Sequence, residues 1–475
     1  MDFDAIIGLE LHIQLKTKSK MFSSAPVSFG LEPNTAADSF DIGFPGTMPT
    51  VNKQAVVSVI QVANALNMII DKVLQFERKN YFYSDLPKGY QLTQQFRPIG
   101  RNGLLSIKTS NGVKSIGIER VHLEEDTCKQ IHYNDHTLLD FNRAGIPLIE
   151  IVTKPEIRNG EEALQLVKKI RSIVTFLGVS DGKMENGSLR CDVNVSLKKK
   201  DSDVYGTKVE IKNLNSLNNI QKAIDYEIDR QRSLLESNKS IKQETRRFDE
   251  NTNKTVIMRN KKDEIDYRYF TDTNIPSIVL SDEFVNDAIT SSKELPEHKF
   301  ERYKSLGLTE SECSLVLNDS DLSNFLDQLI SFGANPRISI NWLNVEIQGY
   351  LKKKNISISE FEISPRGLSE LIKLIQNNKL TNNQAKRVFD KMLKEPNRTK
   401  EIIEESKDNQ PLDIENIKKC ILEVLSSNTK SVLDYNNGKD KALDFIVGQV
   451  MRKVNGIVDV IKVKELIIKE IKGDK

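Results

Sequence analysis

A change in hydrophobic periodicity near residue 292 is the feature that most constrains the fold of this chain. Before it, short runs of alternating apolar and polar residues, which predict strands, are interleaved with longer runs at helical spacing. After it, the strand patterns fade and short helical patterns remain, separated by Gly, Pro and Asn. A polar stretch at 394–413 predicts a further boundary. The sequence therefore predicts an α+β fold, with a mixed strand and helix domain over 1–292, an all-helical domain over 293–407 and a small helical tail over 408–475.

The clearest single elements lie in the first region. A strand is predicted for AIIGLELHIQL, which alternates from Leu9 onward and places its apolar side chains on one face. A helix is predicted over 159–178, because Asn159 can cap its N-terminus and Gly178 can end it. A β-hairpin is predicted where a polar turn joins two alternating runs, SLRCDVNVSLK and TKVEIKNLN.

The composition excludes several functional classes. The chain has 475 residues with 69 basic and 67 acidic side chains, a net charge of +2, which excludes a polybasic binder of the histone type. Its four cysteines form no CxxC or CxC pair, so the sequence predicts no thiolate zinc site. It contains no P-loop motif, so any use of ATP must rest on another kind of site. There is no apolar run of about 18 residues and no basic leader, and we expect a cytoplasmic protein.

Acidic residues on predicted strands are the most informative chemical signal. Glu10 and His12 are two residues apart on an extended run, so their side chains leave the same face. Such a pair can bind a divalent metal ion, and the solvated face of an amphipathic strand is the alternative interpretation. Glu150 interrupts the apolar run PLIEIVT, where an unpaired carboxylate would be costly. It must therefore be paired, either in a structural ion pair or at a metal site.

The predicted hairpin adds further acids and bases to one face. Arg190 and Asp192 lie on the polar face of its first strand, and Glu210 lies on that of its second. The acidic run HLEED supplies more carboxylates, with a solvated turn as the alternative interpretation. Oxygen ligands with one imidazole suit Mg²⁺, and nearby Arg and Lys suit phosphate oxygens. If these segments converge, the set fits phosphoryl transfer, which needs a metal ion, cations and a positioned acceptor.

Longer motifs recur along the chain in the order of a known family. They include RKNYFYSDLPKGYQLTQ, HLEED, DFNRAGIPLIEIVT, GVSDGKMENGSLRCDVNVSL, GTKVEIKNLNS, QETRRFDE and DYRYFTD, with VLDYNNGKDKALDFIVGQVM near the C-terminus. By these motifs the chain resembles the GatB/GatE family, the B subunits of aspartyl/glutamyl-tRNA(Asn/Gln) amidotransferases. The resemblance covers essentially the whole chain.

The resemblance implies both an architecture and an activity. The three predicted regions would be a kinase-like cradle domain, a helical domain and a YqeY-like tail that binds tRNA. The family uses ATP and Mg²⁺ to phosphorylate the side-chain carboxyl of Glu-tRNA(Gln), Asp-tRNA(Asn) or both. Ammonia that the amidase (glutaminase) partner releases from glutamine then displaces the phosphate. A small third subunit would complete a heterotrimer, which has no membrane component.

The resemblance also implies roles for nine residues of this chain, carried over by motif. The Mg²⁺ ligands would be Glu10, His12, Glu125 and Glu150. The other catalytic residues would be Asp192, Glu210 and Arg190. The contacts to ATP phosphates or substrate would be Lys79 and Lys88.

One departure from the family and one alternative function complete the sequence-based expectations. Some family members bind zinc through a CxC and a CxxC motif, but the matching segments here are SSAP and ADSFDIGFPG, so we expect no zinc. The alternative function is a non-catalytic tRNA-binding scaffold of the same fold. Retention of all the acids named above favours the enzyme.

Overall fold

The computed structural model describes residues 2–200, 202–260, 266–407, 414–453 and 460–472. It divides the chain into two compact units, Met1–His298 and Lys299–Lys475. The first contains the strands and the second is helical, which confirms the predicted α+β class. The predicted boundary near 408 lies outside the described residues, and the predicted three-domain division stays a prediction.

The strands and the first four helices belong to the first unit. Its strands are β1 (Phe3–Gln14), β2 (Ile69–Ile70), β3 (Val73–Leu74), β4 (Glu77–Asn80), β5 (Tyr90–Thr93), β6 (Gly100–Thr109), β7 (Gly112–Glu125), β8 (Lys129–His132), β9 (Thr137–Asp140), β10 (Pro147–Thr153), β11 (Leu189–Lys199), β12 (Val209–Lys212), β13 (Glu244–Asp249), β14 (Lys254–Asn260), β15 (Phe270–Thr271) and β16 (Ile278–Val279). Its helices are α1 (Lys53–Ala65), α2 (Gly160–Phe176), α3 (Leu217–Glu236) and α4 (Asp282–Thr290).

A nine-stranded sheet forms the framework of this unit. Its strand order is β14-β13-β12-β11-β1-β10-β7-β6-β2, and only the β12–β13 pair is parallel. The predicted hairpin is confirmed as the antiparallel pair β11–β12. β1 lies in the middle of the sheet, between β11 and β10, and therefore carries its polar side chains to the centre of one face.

The two faces of β1 differ as its alternating sequence predicts. Leu9, Leu11 and Ile13 are fully buried in a core that also contains the apolar side chains of α1, α2 and α3. The predicted α2 is confirmed, since the Asn159 side chain accepts a hydrogen bond from the amide of Glu162 and caps the helix. With its apolar face covered, the sheet leaves the other face of β1 to polar residues.

A buried ion pair closes the long segment between β1 and α1. Lys20 Nζ donates to Asp41 Oδ2 at 3.0 Å and to the Phe141 carbonyl at 3.1 Å, and the side chains of Lys20 and Asp41 are both almost fully buried. Ser23 Oγ also donates to Asp41 Oδ2, at 3.1 Å. Ser23 belongs to the SSAP segment and Asp41 to ADSFDIGFPG, so polar bonds join these two segments.

The helices that follow form the second unit. They are α5 (Pro296–Ser305), α6 (Glu310–Val316), α7 (Ser320–Ser331), α8 (Pro336–Trp342), α9 (Gln348–Lys354), α10 (Pro365–Gln376), α11 (Asn382–Lys394), α12 (Thr399–Lys407), α13 (Ile414–Ser427), α14 (Thr429–Asn436), α15 (Asp440–Lys453) and α16 (Val460–Lys472). A π-helical turn, Leu343–Ile347, joins α8 to α9.

The second unit has two separate hydrophobic clusters. One lies between Tyr303 and Ile403, and the other, between Ile417 and Ile467, is formed by α13, α15 and α16. Among the described residues, no helix is long and apolar enough to cross a membrane.

Candidate active site

Polar side chains gather on one face of five neighbouring strands: β12, β11, β1, β10 and β7. The register fixes their positions, because His12 lies opposite Glu150 on one side and Arg190 on the other. Glu10 lies opposite Asp192 in the same way. The strand pairing thus brings six of the nine predicted site residues, from four strands, to one face; they are Glu10, His12, Glu150, Arg190, Asp192 and Glu210.

The tightest group on this face consists of His12, Glu124 and Glu150. His12 Nε2 lies 3.6 Å from Glu124 Oε1 and 3.3 Å from Glu150 Oε2. One ligand atom from each of the three residues lies within 4.8 Å of those of the other two. Both glutamates are buried, so the three side chains form a compact group with little exposure to solvent.

The structure places Glu124, and not the predicted Glu125, in this group. Adjacent residues of a strand point to opposite faces, so only one of the two glutamates can reach His12. Glu125 instead accepts two hydrogen bonds from Lys88 Nζ, at 2.5 and 2.7 Å, and one from the amide of Leu92. Lys88 therefore makes a buried ion pair with Glu125 and lies 4.2 Å above the ring of Phe40.

The protonation of this group is strongly perturbed. Burial raises the pKa of Glu124, and the nearby Glu150 charge raises it further against the effect of His12. Burial also acts to raise the pKa of Glu150, but His122 and His12 outweigh it and hold this pKa below its usual value. For His12, burial lowers the pKa, whereas the hydrogen bond to Glu150 and the charge of Glu124 raise it to about 9. Two buried carboxylates thus compete for one imidazole.

The donor set fits a hard divalent cation. Two carboxylates, Glu124 and Glu150, and one imidazole, His12, converge at this point. Only the imidazole can carry a positive charge to balance the two carboxylates. A divalent ion would neutralise both carboxylates and take the imidazole in its neutral form. The role of His12 and Glu150 as Mg²⁺ ligands stays a prediction, and the geometry, with Glu124 as the third residue of the group, is compatible with it.

His122 is a site residue that the sequence analysis did not single out. It is buried, lies opposite Glu150 in the sheet, and places Nε2 3.5 Å from Glu150 Oε2. Burial lowers its pKa to about 4, so it is a neutral imidazole near neutral pH. Its Nδ1 is buried without a hydrogen-bond partner among the described residues. The signal was available, because His122 alternates with Glu124 in HLEED.

A second cluster of charges lies on β11 and β12. Lys212 Nζ donates to Asp192 Oδ2 at 2.7 Å and lies 3.3 Å from Glu210 Oε1. Thr245 Oγ1 donates to Glu210 Oε2 at 2.9 Å. Burial raises the pKa of Glu10, and the charges of Glu150 and Asp192 raise it further, which shows that the two clusters share one electrostatic field.

The remaining predicted cations lie at two different places. Lys79 is half-buried on β4 and faces the first cluster: burial lowers its pKa, but the charges of Glu124 and other nearby acids raise it above its usual value. Arg190 instead binds the buried Asp126, which also accepts a hydrogen bond from Gln14. Of these two cations, Lys79 is therefore the one whose charge acts on the carboxylates of the first cluster.

Comparisons with known proteins all indicate one family, and two family models match most of the chain. A family model described as the GatB/GatE catalytic domain matches residues 5–286, which include every residue of both clusters. A second family model, described as a GatB domain, matches residues 324–471.

Curated relatives align with almost the full length of the chain. The B subunit of an aspartyl/glutamyl-tRNA(Asn/Gln) amidotransferase from Geobacillus thermodenitrificans is 44% identical over 473 residues, 99% of each chain. Proteins of the same description from Mycoplasma mycoides subsp. mycoides and Bacillus cereus are 45% and 41% identical, again over 99% of each chain.

Proposed function

This chain belongs to the GatB family, and from that premise we propose that it is the B subunit of an aspartyl/glutamyl-tRNA(Asn/Gln) amidotransferase. In this proposal it carries the site where ATP phosphorylates the side-chain carboxyl of Glu-tRNA(Gln), Asp-tRNA(Asn) or both. Ammonia then replaces the phosphate, which leaves Gln-tRNA(Gln) or Asn-tRNA(Asn). The relatives carry this enzyme's name over the full length of the chain.

One observation carries the catalytic part of the proposal. His12, Glu124 and Glu150 converge within 4.8 Å on the sheet face, with the Lys79 ammonium close enough for its charge to act on Glu124 and Glu150. Phosphoryl transfer to a carboxylate needs charge neutralisation and positioning, and it needs no covalent nucleophile from the protein. This set of side chains supplies those two requirements. A structural ion pair alone would not need two carboxylates around one imidazole.

The reaction assigns a task to each cluster. The acceptor carboxylate attacks the γ-phosphorus of ATP, ADP leaves, and ammonia then attacks the acyl carbon and releases phosphate. Bound Mg²⁺ would neutralise charge on the phosphate oxygens. His12, Glu124 and Glu150 would hold that ion, and Lys79 would bind phosphate oxygens directly. On β11 and β12, Asp192 and Glu210 take up the proton that ammonia loses, while Lys212 keeps the two carboxylates in place.

The proposal assigns ammonia production to a different polypeptide. The sequence contains no GxSxG motif and no recognisable amidase signature, so this chain has no predicted nucleophile for glutamine hydrolysis. The relatives are named as the B subunit of their enzyme, which supports an assembly of several subunits. We propose an amidase (glutaminase) partner and a small third polypeptide as the other members of a heterotrimer, with mischarged tRNA as substrate.

The test is a pair of glutamate variants in the reconstituted complex. Glu150→Gln keeps the side-chain volume but removes one buried carboxylate, and we expect transamidation to fall about 100-fold or more because one ligand and its charge are lost. Glu119→Gln is the matched control, because Glu119 lies exposed on the neighbouring strand β7. Amidation at the wild-type rate by the Glu150→Gln complex would refute the proposed site.

The non-catalytic scaffold is the competing function, and the same complex discriminates between the two. A catalytic chain gives ATP hydrolysis that mischarged tRNA stimulates and that Glu150→Gln abolishes. A scaffold gives tRNA binding with no nucleotide turnover in either protein.

A further inference from the structure

A second cation lies beside Lys79, and no motif or comparison assigns it a role. We propose that Arg120 binds the phosphate chain of ATP together with Lys79, so that Arg120 of β7 in the nine-stranded sheet and Lys79 of β4 in the three-stranded sheet form one phosphate clamp. This inference rests on the proposed function, and it adds a specific binding residue to the same site.

The position of Arg120 follows from the register of β7. Arg120, His122 and Glu124 alternate along the strand without a bulge, so all three side chains leave the face that carries the carboxylates. Two residues of an extended strand span about 7 Å, which puts Arg120 one step beyond His122 from the carboxylate group. A phosphate chain bound through a metal ion at Glu124 and Glu150 could therefore reach Arg120.

Arg120 has no partner that explains its burial. Its Nε atom is buried without a hydrogen-bond partner, and no ion pair joins its guanidinium to any described residue. Lys79 likewise makes no hydrogen bond or ion pair with a described residue, and its Nζ instead lies 5.0 Å above the ring of Tyr267. Arg120 and Lys79 are both half-buried. Buried polar groups are nearly always satisfied, so the unpartnered Nε atom of Arg120, close to a second cation that has no acidic partner among the described residues, indicates that an anion binds here.

Aromatic side chains form a wall beside the two cations. Tyr267 and Tyr269 pack with their ring centroids 5.8 Å apart, and Phe96 packs against Tyr269 at 6.4 Å. Tyr269 is close to both cations: burial raises the pKa of its phenol, and the charges of Lys79 and Arg120 act against that rise. The Tyr267 ring covers one side of the Lys79 ammonium, and less water on that side strengthens the attraction of a bound anion.

The charge count favours a phosphate chain over the acceptor carboxylate. A single carboxylate is neutralised by one cation, whereas an ATP phosphate chain carries several negative charges and needs cations along its length. The guanidinium of Arg120 offers several donors in one plane, which suits two phosphate oxygens at once. Lys79 offers a point charge nearer the carboxylate group.

Binding of a non-hydrolysable ATP analogue to the whole complex, in the presence of Mg²⁺, is the direct test. We expect Arg120→Gln to raise the Kd for the analogue by about 10- to 100-fold, as for loss of a hydrogen bond to a charged group. Adenosine, which has no phosphate, should bind the variant and the wild type equally. For the analogue, the Kd of Arg120→Lys should lie between those of the wild type and Arg120→Gln, because lysine keeps the charge but loses the planar donors.

Two further measurements separate binding from structure. Arg101→Gln is the matched control, since Arg101 lies opposite Arg120 in the sheet but donates to the Phe96 carbonyl and lies 3.9 Å from Asp71. It should leave the Kd unchanged. The thermal midpoint of the ligand-free Arg120→Gln complex should not fall, because Arg120 has no hydrogen-bond or ion-pair partner to lose among the described residues. In kinetics, the KM for ATP should rise while the KM for tRNA stays constant.

Several outcomes would overturn the clamp. They are an unchanged Kd in Arg120→Gln, an equal loss of adenosine and analogue binding, and a rise in the KM for tRNA alone. If the wild-type complex binds no nucleotide, the proposed function fails together with the clamp. If the wild type binds the analogue and Arg120→Gln binds it equally well, the clamp alone fails.

Discussion

At the scale of single residues, the direction in which a side chain leaves its strand decides its chemistry. Glu124 and Glu125 are both glutamates and are equally buried, yet Glu124 faces His12 and Glu125 faces Lys88. Glu124 therefore shares charge with the candidate metal ligands, whereas Glu125 neutralises a buried ammonium. Substitution of the two glutamates should have different consequences.

Glu124→Gln and Glu125→Gln test this difference. Glu124→Gln should weaken Mg²⁺ binding by about 10- to 100-fold with a small effect on stability, because it removes one ligand. Glu125→Gln should destabilise the protein by about 3 kcal/mol, because it leaves the buried Lys88 without a counter-ion. Calorimetric Mg²⁺ titration and urea unfolding measure the two effects. Weaker Mg²⁺ binding in Glu125→Gln, with lower stability in Glu124→Gln, would instead identify Glu125 as the ligand.

Thiol reactivity gives a second test at this scale. Burial raises the pKa of Cys128 to about 11, and it also raises the pKa values of Cys191 and Cys313. Because the thiolate is the reactive form, these three should resist iodoacetamide at pH 8, while the half-buried Cys420 is modified first. Mass spectrometry of native protein locates the label. Fast modification of Cys128 at pH 8 would contradict its burial.

At the scale of elements, buried ion pairs add to the hydrophobic core in holding segments beside the sheet. Lys20 and Asp41 join two parts of the long segment between β1 and α1. In a second network, Glu227 of α3 binds Arg230 and lies 3.6 Å from Arg246 of β13. The second network holds β13 at the edge of β12, where Thr245 bonds Glu210.

Asp41→Asn tests the first of these pairs. It leaves the fully buried Lys20 ammonium without its counter-ion and should cost about 3 kcal/mol of unfolding free energy. Asp135→Asn, on an exposed side chain, is the control and should stay within about 0.5 kcal/mol of wild type. Adding Lys20→Met to Asp41→Asn should recover part of the loss. Equal stability of all the variants would mean that the pair has no structural role.

Elements with local signals could be predicted from the sequence, and contacts between distant segments could not. The alternation of β1 and the cap and end signals of α2 each lie within one short segment, and both predictions are confirmed. The choice of Glu124 over Glu125 depends on the register in which β7 pairs with β10, which no local pattern encodes. For the same reason His122 and Arg120 were missed, although both alternate with Glu124 in the sequence.

At the scale of the whole molecule, the chain separates a strand-rich unit that carries the candidate site from a helical unit. Within the helical unit, the cluster between Ile417 and Ile467 includes no residue of the cluster between Tyr303 and Ile403. Some surface cations around the cluster between Ile417 and Ile467 already form ion pairs, since Lys439 pairs with Asp434 and Lys453 pairs with Glu423. Exposed ion pairs of this kind are weak and can be replaced by phosphate contacts.

Deletion of 414–475 tests whether this last cluster binds tRNA. The truncated chain, within its complex, should bind mischarged tRNA more weakly and with a shallower salt dependence, because fewer cations meet the RNA backbone. The glutaminase activity of the amidase partner should stay unchanged. Filter binding at two salt concentrations measures both affinity and slope. Unchanged values would assign tRNA binding to another part of the enzyme.

The central claim is that ATP phosphorylates the acceptor carboxylate in the complex that contains this chain. Glu-tRNA(Gln) or Asp-tRNA(Asn) with both side-chain carboxylate oxygens replaced by ¹⁸O tests it in a single turnover. The account predicts that the amide keeps one ¹⁸O and that the released inorganic phosphate carries the other. Amide formation with unlabelled phosphate, or with the label in AMP, would contradict the account.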